Sequence, residues 1–341
     1  MADDNPSSDA TSPHSAKQSP DASDAPTNRA EDLAMTQDKS AADGVPADQG
    51  FNDQDSNSQG STSSVPLDEV KYFVFDIETV ADGQLIADVR YPTDDLTPAD
   101  AMQKYINQIS VSTAGNSTFI PHTFQQPIAV AIAKVDAAFR LRELVSLDEP
   151  NFRPHVMTQM FWEGWEAYKQ PTWVTFNGRG FDIPVMELSA YRFGIGVENW
   201  FRQNGASYTQ PRNRYNTRSH LDLQDLMTNF SAVRFNGGLN AAAKIIGRPG
   251  KMDVKGDEVQ ELYDAGELST ISDYCRSDVL DTYFVFLRCM VLTGKLPLKQ
   301  EQHLVHETEQ WLAEQSDAIP AYANYLARCK PFQDPFQQAA D

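Results

Sequence analysis

Asp76 and Glu78 stand two residues apart at the end of an apolar run, Lys71-Tyr72-Phe73-Val74-Phe75-Asp76-Ile77-Glu78-Thr79. Residues two apart on a strand share a face, so both carboxylates project together. Two like charges that close repel unless a positive charge lies between them, and a divalent cation supplies one. Two further segments carry acids in settings that could join this pair. Asp182 ends Asn177-Gly178-Arg179-Gly180-Phe181-Asp182, where glycines allow a sharp turn between a strand and a helix. Asp278 follows Tyr274 by four residues, which puts both on one helix face. Each has a plainer alternative: solvated acids at a strand exit, a helix cap at Asp182, and a Tyr packed beside a solvated Asp. Taken together, four carboxylates form an oxygen-rich set that suits Mg²⁺ or Mn²⁺ rather than zinc. A pair of such ions can stabilise the attacking and leaving oxygens of a phosphodiester.

The elements that would position these residues follow from periodicity. Tyr72–Phe75 has no polar alternation and reads as a buried central strand, with Thr79–Gly83 leaving the sheet. Thr97-Pro98-Ala99-Asp100 has the marks of a helix start. Ile128–Val135 and Phe139–Leu147 predict two strands joined as a hairpin. Met157, Phe161, Trp165 and Tyr168 recur at helical spacing within 151–170. Trp173–Phe176 predicts a fourth strand, followed by a helix from Asp182 to Phe193 with Pro184 in its first turn. His220–Leu223 suits an edge strand or a helix entry. Helices follow over Leu239–Ile246, Asp257–Ala265 and Ser269–Thr293, each closed by a glycine. One or two more occupy 298–328. The order predicts an α/β layered domain with one hairpin in a mostly parallel sheet. Ligands of open α/β sheets bind at the carboxyl ends of strands. Asp182 would then join Asp76 and Glu78 if the first and fourth strands are neighbours.

Composition sets the boundaries. The chain has 341 residues and a net charge of −20. Residues 1–66 hold 12 acidic and 3 basic residues, with Phe51 the only aromatic. So little apolar surface cannot offset ordering entropy, which predicts a disordered acidic tail. The start lacks the basic and apolar regions of a signal peptide, and no apolar run approaches a membrane span. Cys275, Cys289 and Cys329 form no zinc or redox spacing and fit a cytoplasmic protein. No glycine-rich nucleotide-cofactor fingerprint is present.

Asp76-Ile77-Glu78, Asn177…Phe181-Asp182 and Tyr274…Asp278 resemble the three motifs of DEDDy-type 3′–5′ exonucleases. The resemblance is to the stand-alone bacterial family related to the proofreading exonuclease domain of family-B DNA polymerases. It spans Tyr72 to Gly294 and includes Phe119-Ile120-Pro121, Pro127–Val130, His220–Leu223 and Gly247–Lys251. It implies a ribonuclease-H-like (DnaQ-like) mixed sheet flanked by helices over 67–296; beyond it, the helices read over 298–328 are expected to form an extension, 297–341, that packs on the same domain. It also implies two divalent ions and release of nucleoside monophosphates from a 3′ end. Asp76 would bridge both ions. Glu78 and Asp278 would hold the ion that activates water, and Asp182 would complete the set. Tyr274 would orient the attacking water, and Asn177 and Phe181 would position the terminal nucleotide. The sister class carries a His where this chain has Asp273, so the Tyr version applies. Asp281 reads as solvated, Asp222 and Asp225 as caps or supporting groups, and His303 and His306 as helix surface.

An acidic chain is a poor non-specific binder of nucleic acid. Residues 199–220, however, have no acid and interleave Arg202, Arg212, Arg214 and Arg218 with Trp200, Phe201, Tyr208 and Tyr215. That is the composition of a single-strand path, although a solvated loop would also have it. Lys244, Arg248, Lys251 and Lys255 form a second basic set. The expected partner is the 3′ end of a single strand, DNA before RNA. The expected substrate contacts are Asn177, Phe181, Arg212, Arg214, Arg218 and Lys251. A glycosidase using Asp76 and Glu78 would leave Asp182, Asp278 and Tyr274 without a role. A non-catalytic module that keeps the fold would have no need of all four acids.

Overall fold

The computed structural model describes residues 66, 69–251 and 258–336, all within one unit spanning Ser61–Asp341. The predicted acidic tail lies outside the described residues except for Pro66, as do Lys255 and the first residue of the Asp257–Ala265 helix.

Five strands form one sheet: β1 (Val70–Ala81), β2 (Gln125–Asp136), β3 (Leu141–Ser146), β4 (Thr172–Thr175) and β5 (His220–Asp222). Eleven α-helices accompany them among the described residues. They are α1 (Gly83–Arg90), α2 (Pro98–Ser112), α3 (Pro154–Ala167), α4 (Asp182–Phe193), α5 (Glu198–Phe201), α6 (Leu223–Thr228), α7 (Gly238–Ile245), α8 (Val259–Asp264), α9 (Leu268–Leu292), α10 (Leu298–Gln315) and α11 (Pro320–Leu326). The spatial order is β3-β2-β1-β4-β5. β1 pairs antiparallel with β2 and parallel with β4, β2 pairs antiparallel with β3, and β4 pairs parallel with β5. Only β2 therefore runs against the other four. This mixed α/β sheet is ribonuclease-H-like, and the first and fourth strands are neighbours as the acidic residues required.

One expectation fails in an instructive way. Thr79–Gly83 does not leave the sheet as a whole: β1 runs on to Ala81, opposite Gln125 of β2. Its parallel pairing with β4 stops at Val74↔Val174. Asp76 and Glu78 thus lie inside β1, on a stretch held by β2 alone and open on the β4 side.

The two faces of β1 explain both core layers. Phe73, Phe75 and Ile77 point into an aromatic layer with Phe161, Trp165 and Trp173. There the Phe161 and Trp173 rings stack at 4.4 Å. Val74 and Val80 point the other way, into a layer with Val279, Tyr283 and Phe286 of α9. Asp76 and Glu78 share that second face, so the strand's alternation aims them at α9. α9 is buried on most of its circumference because the sheet covers one side and α10 and α11 pack on another. A third cluster joins α1 and α2 through Ile86 and Tyr105. α1 starts at Asp82, whose carboxylate accepts from the Leu85 N–H at 3.0 Å.

Candidate active site

The turn between β4 and α4 is built around Asp222. Its two carboxylate oxygens each accept a backbone N–H at 2.9 Å, one from Asn177 and one from Arg179. The same side chain caps α6 through the Gln224 N–H at 3.0 Å. Asn177 is held at φ +67°, a left-handed conformation that Asn tolerates. A side chain at Gly178 would place its Cβ 2.6 Å from Thr175 Oγ1, so only Gly fits there. Thr175 is itself fixed by buried His220 at 2.8 Å. Burial first, and the Arg179 charge second, keep that imidazole neutral, well below its ordinary pKa. Arg179 clamps the turn to Asp225 at 2.9 Å and to the His220 carbonyl at 2.7 Å. Asp222 and Asp225 thus have the capping and supporting positions expected of them.

This turn delivers Asp182 to the open side of β1. The Asp182 carboxylate hydrogen-bonds the Ile77 backbone, where β4 no longer pairs. Asp76, Asn177, Phe181, Asp182, Lys251 and Asp278 all line one cleft of about 490 Å³. Asp278 comes from α9, and the Tyr274 hydroxyl one turn earlier donates to its carboxylate. Atoms of Asp76, Glu78 and Cys275 able to hold a metal all lie within 4.8 Å of one another.

The electrostatics show what the cluster lacks. Burial, followed by the charges of Asp182, Glu78 and Asp278, pushes Asp76 well above the usual carboxylate range. Glu78 is raised by burial and then by Asp278 and Asp182. Burial is the main cause at Asp182, pushed up to about 7, and at Asp278, pushed up to about 6. Among the described residues, Lys251 is the cation that acts on Asp76, Glu78 and Asp278, drawing all three down. Among the described residues, four acids face one exposed lysine, a strongly uncompensated set, and hard oxygen donors match a hard divalent ion. Cys275 does not alter that match. Its Sγ–H donates to the Asp76 carbonyl at 3.3 Å, and burial and the neighbouring acids hold the thiol protonated.

The remaining sequence-predicted residues fall in different places. Asn177 and Phe181 line the cleft. Phe181 also packs on Phe119, with ring centres 5.6 Å apart. Asn177 Oδ1 accepts from Gln224 Nε2 at 3.1 Å. Arg212, Arg214 and Arg218 do not line the cleft. Arg212 is paired with Glu187 on α4 at 2.7 and 2.8 Å. Arg214 lies over the Tyr215 ring at 5.4 Å. The Arg218 carbonyl accepts from Thr172 Oγ1 at 2.6 Å, at the start of β4 and so at the far end of that strand from Asn177. His303 and His306 are exposed on α10, as expected. Asp281 is corrected. It is buried, not solvated, and accepts from Tyr325 Oη of α11 at 2.7 Å. Burial pushes its carboxyl up to about 7. Phe119, Gln224 and Asn240 line the cleft without having been singled out for it. Each stands on a connector or helix whose place next to β1 no local pattern reveals.

No helix among the described residues is long and apolar enough to cross a membrane. No curated protein sequence matches the chain significantly. Residues 117–329 match the family described as predicted 3′–5′ exonucleases related to the exonuclease domain of PolB. The match takes in Asn177–Asp182 and Tyr274–Asp278 and begins after the strand that carries Asp76 and Glu78. It covers more than half of the chain, and the protein belongs to this family of predicted 3′–5′ exonucleases.

Proposed function

We propose that this protein hydrolyses phosphodiester bonds from the 3′ end of single-stranded nucleic acid, DNA in preference to RNA, releasing nucleoside monophosphates. The observation that carries the reading is the convergence of four acids from three separate elements: Asp76, Asp182 and Asp278 line one cleft, Glu78 reaches to within 4.8 Å of Asp76, and all four carboxyls are raised. These four would hold a pair of Mg²⁺ or Mn²⁺ ions. When bound, such ions neutralise charge at the scissile phosphate and make water available as a nucleophile near neutral pH.

The chain's own residues supply positioning. Burial and three nearby carboxylates raise the Tyr274 phenol far above its ordinary value, so it keeps its proton and is no general base. That proton points at Asp278. The phenol oxygen is then left with lone pairs to accept from an attacking water and fix its direction. Asn177 has its carbonyl occupied by Gln224, which leaves its NH₂ group to donate to sugar or phosphate. Phe181, braced by Phe119, offers a face on which the terminal base can stack. Lys251, which lines the cleft, would balance charge on the substrate. Residues 67–296 would form the catalytic domain, with 297–341 a helical extension behind α9.

Oligonucleotides labelled at either end, DNA beside RNA, with Mg²⁺, Mn²⁺ or EDTA, test this directly. A 5′-labelled strand should shorten stepwise, and EDTA should stop it. Asp76→Ala and Asp278→Ala should abolish cleavage with the fold intact by circular dichroism, and Tyr274→Phe should lower the rate less. Full activity in EDTA would rule the mechanism out.

A further inference from the structure

A second cleft, of about 260 Å³, adjoins the acidic one. Lys244, Arg248, Lys251, Arg328 and Lys330 line it, and no acidic side chain does among the described residues. In a chain of net charge −20 with only 28 Lys and Arg, five cations around one small cleft are a marked departure from the average surface. Lys251 belongs to both clefts, so they share a wall.

The backbone builds this cluster. The Lys330 N–H donates to the Gly247 carbonyl at 2.8 Å. Gly247 sits at φ +79°, and a Cβ there would meet the Lys330 carbonyl at 2.8 Å. The segment after α7 and the segment after α11 are therefore locked side by side, and their cations with them. Arg248 is the floor: it is buried, paired with Glu309 at 2.7 Å, and lies over the Phe284 ring at 4.6 Å. Lys244, Lys251 and Lys330 are exposed at the rim. Lys244 Nζ donates to the Pro249 carbonyl at 2.7 Å, and an ammonium has two more donors to give.

We propose that this basic cleft holds the phosphodiester backbone of the substrate strand a few nucleotides from the end in the acidic cleft. The inference rests on the exonuclease reading and adds where the strand goes. Among the described residues no aromatic side chain lines the cleft, so they offer nothing for a base to stack on. Lysine ammonium groups are mobile point charges suited to phosphates without regard to sequence. The strand path therefore runs from Lys251 towards Lys330 and does not use Arg202, Arg212, Arg214 or Arg218, none of which lines either cleft.

Binding in EDTA separates this from catalysis. Anisotropy of a labelled thymidylate dinucleotide and a twelve-mer is measured with the full chain and with Lys244→Ala/Lys330→Ala, over a range of salt. The wild type should prefer the twelve-mer. The double variant should lose roughly tenfold of that preference, and its slope of log affinity against log salt should be shallower by about 1.4. Lys244→Arg/Lys330→Arg should restore both, which excludes a folding defect as the cause. An unchanged preference and slope would overturn the proposal. So would a loss that is equal for the dinucleotide, which would mark a site for free nucleotide. If the twelve-mer behaves as stated but no strand is ever cleaved, the basic cleft stands and the exonuclease reading falls.

Discussion

Among the residues around the acids, Cys275 is the one whose chemistry could be misjudged. Its sulfur is close enough to Asp76 and Glu78 to complete a three-atom metal group. Yet a thiol must lose its proton to become a good ligand, and everything near it opposes that loss. Burial comes first, followed by the charges of Asp76, Glu78 and Asp278. Its proton is committed to the Asp76 carbonyl, so the thiol supports β1 against α9. Cys275→Ala should therefore cost about 1 kcal/mol of stability in urea denaturation and keep most of the nuclease activity. Loss of activity as complete as in Asp76→Ala would make the sulfur a ligand after all. Native Cys275, fully buried, should also resist alkylation until the protein unfolds.

At the scale of elements, the site depends on one short turn reaching across the gap that β4 leaves beside β1. Asp222 carries that turn, because a single carboxylate satisfies two N–H groups of the turn and caps α6. Asp222→Ala removes a helix cap and leaves donors of a part-buried turn unpaired, at a cost of about 2–4 kcal/mol together. The melting temperature should fall, and activity should fall further than in an equally destabilised core variant, because Asp182 and Asn177 lose their alignment. The acidic motifs and most of these elements were legible in the sequence for a local reason. Tyr72–Phe75, Trp173–Phe176 and the α9 stripe through Val279, Tyr283 and Phe286 are apolar runs whose period states strand or helix directly. What was not legible depends on distant partners. β1 continues past Thr79 only because β2 pairs with it. Asp281 is buried only because α11 brings Tyr325 over it. Arg212 is engaged only because Glu187 faces it from α4. The 202–218 composition suggested a substrate path, but charge and aromatic content do not say which end of a sheet a loop will occupy.

For the whole molecule, the raised carboxyls make folding stability a function of pH with a defined sign. In an unfolded chain an Asp titrates near ~3.9 and a Glu near ~4.3. In the folded protein without divalent ions, Asp278 is pushed up to about 6 and Asp182 to about 7, and Asp76 and Glu78 are raised as well. Between those limits the folded state binds more protons than the unfolded state, so stability must fall as pH rises. The contribution is whole below about pH 4 and is lost as pH passes through the folded values near 6 and 7. Divalent cations replace the missing protons and stabilise the folded state by mass action. The rise in melting temperature on adding Mg²⁺ or Mn²⁺ should therefore be small at acid pH and largest above neutrality. The general repulsion of a chain at −20 also lowers stability with pH, but it is screened by monovalent salt and needs no particular acid. Asp182→Asn/Asp278→Asn distinguishes the two. It should flatten the pH dependence and abolish most of the divalent response, while the response to NaCl remains. A divalent response that is equal at both ends of the pH range, or intact in that variant, would mean that the four acids do not act as one cation site.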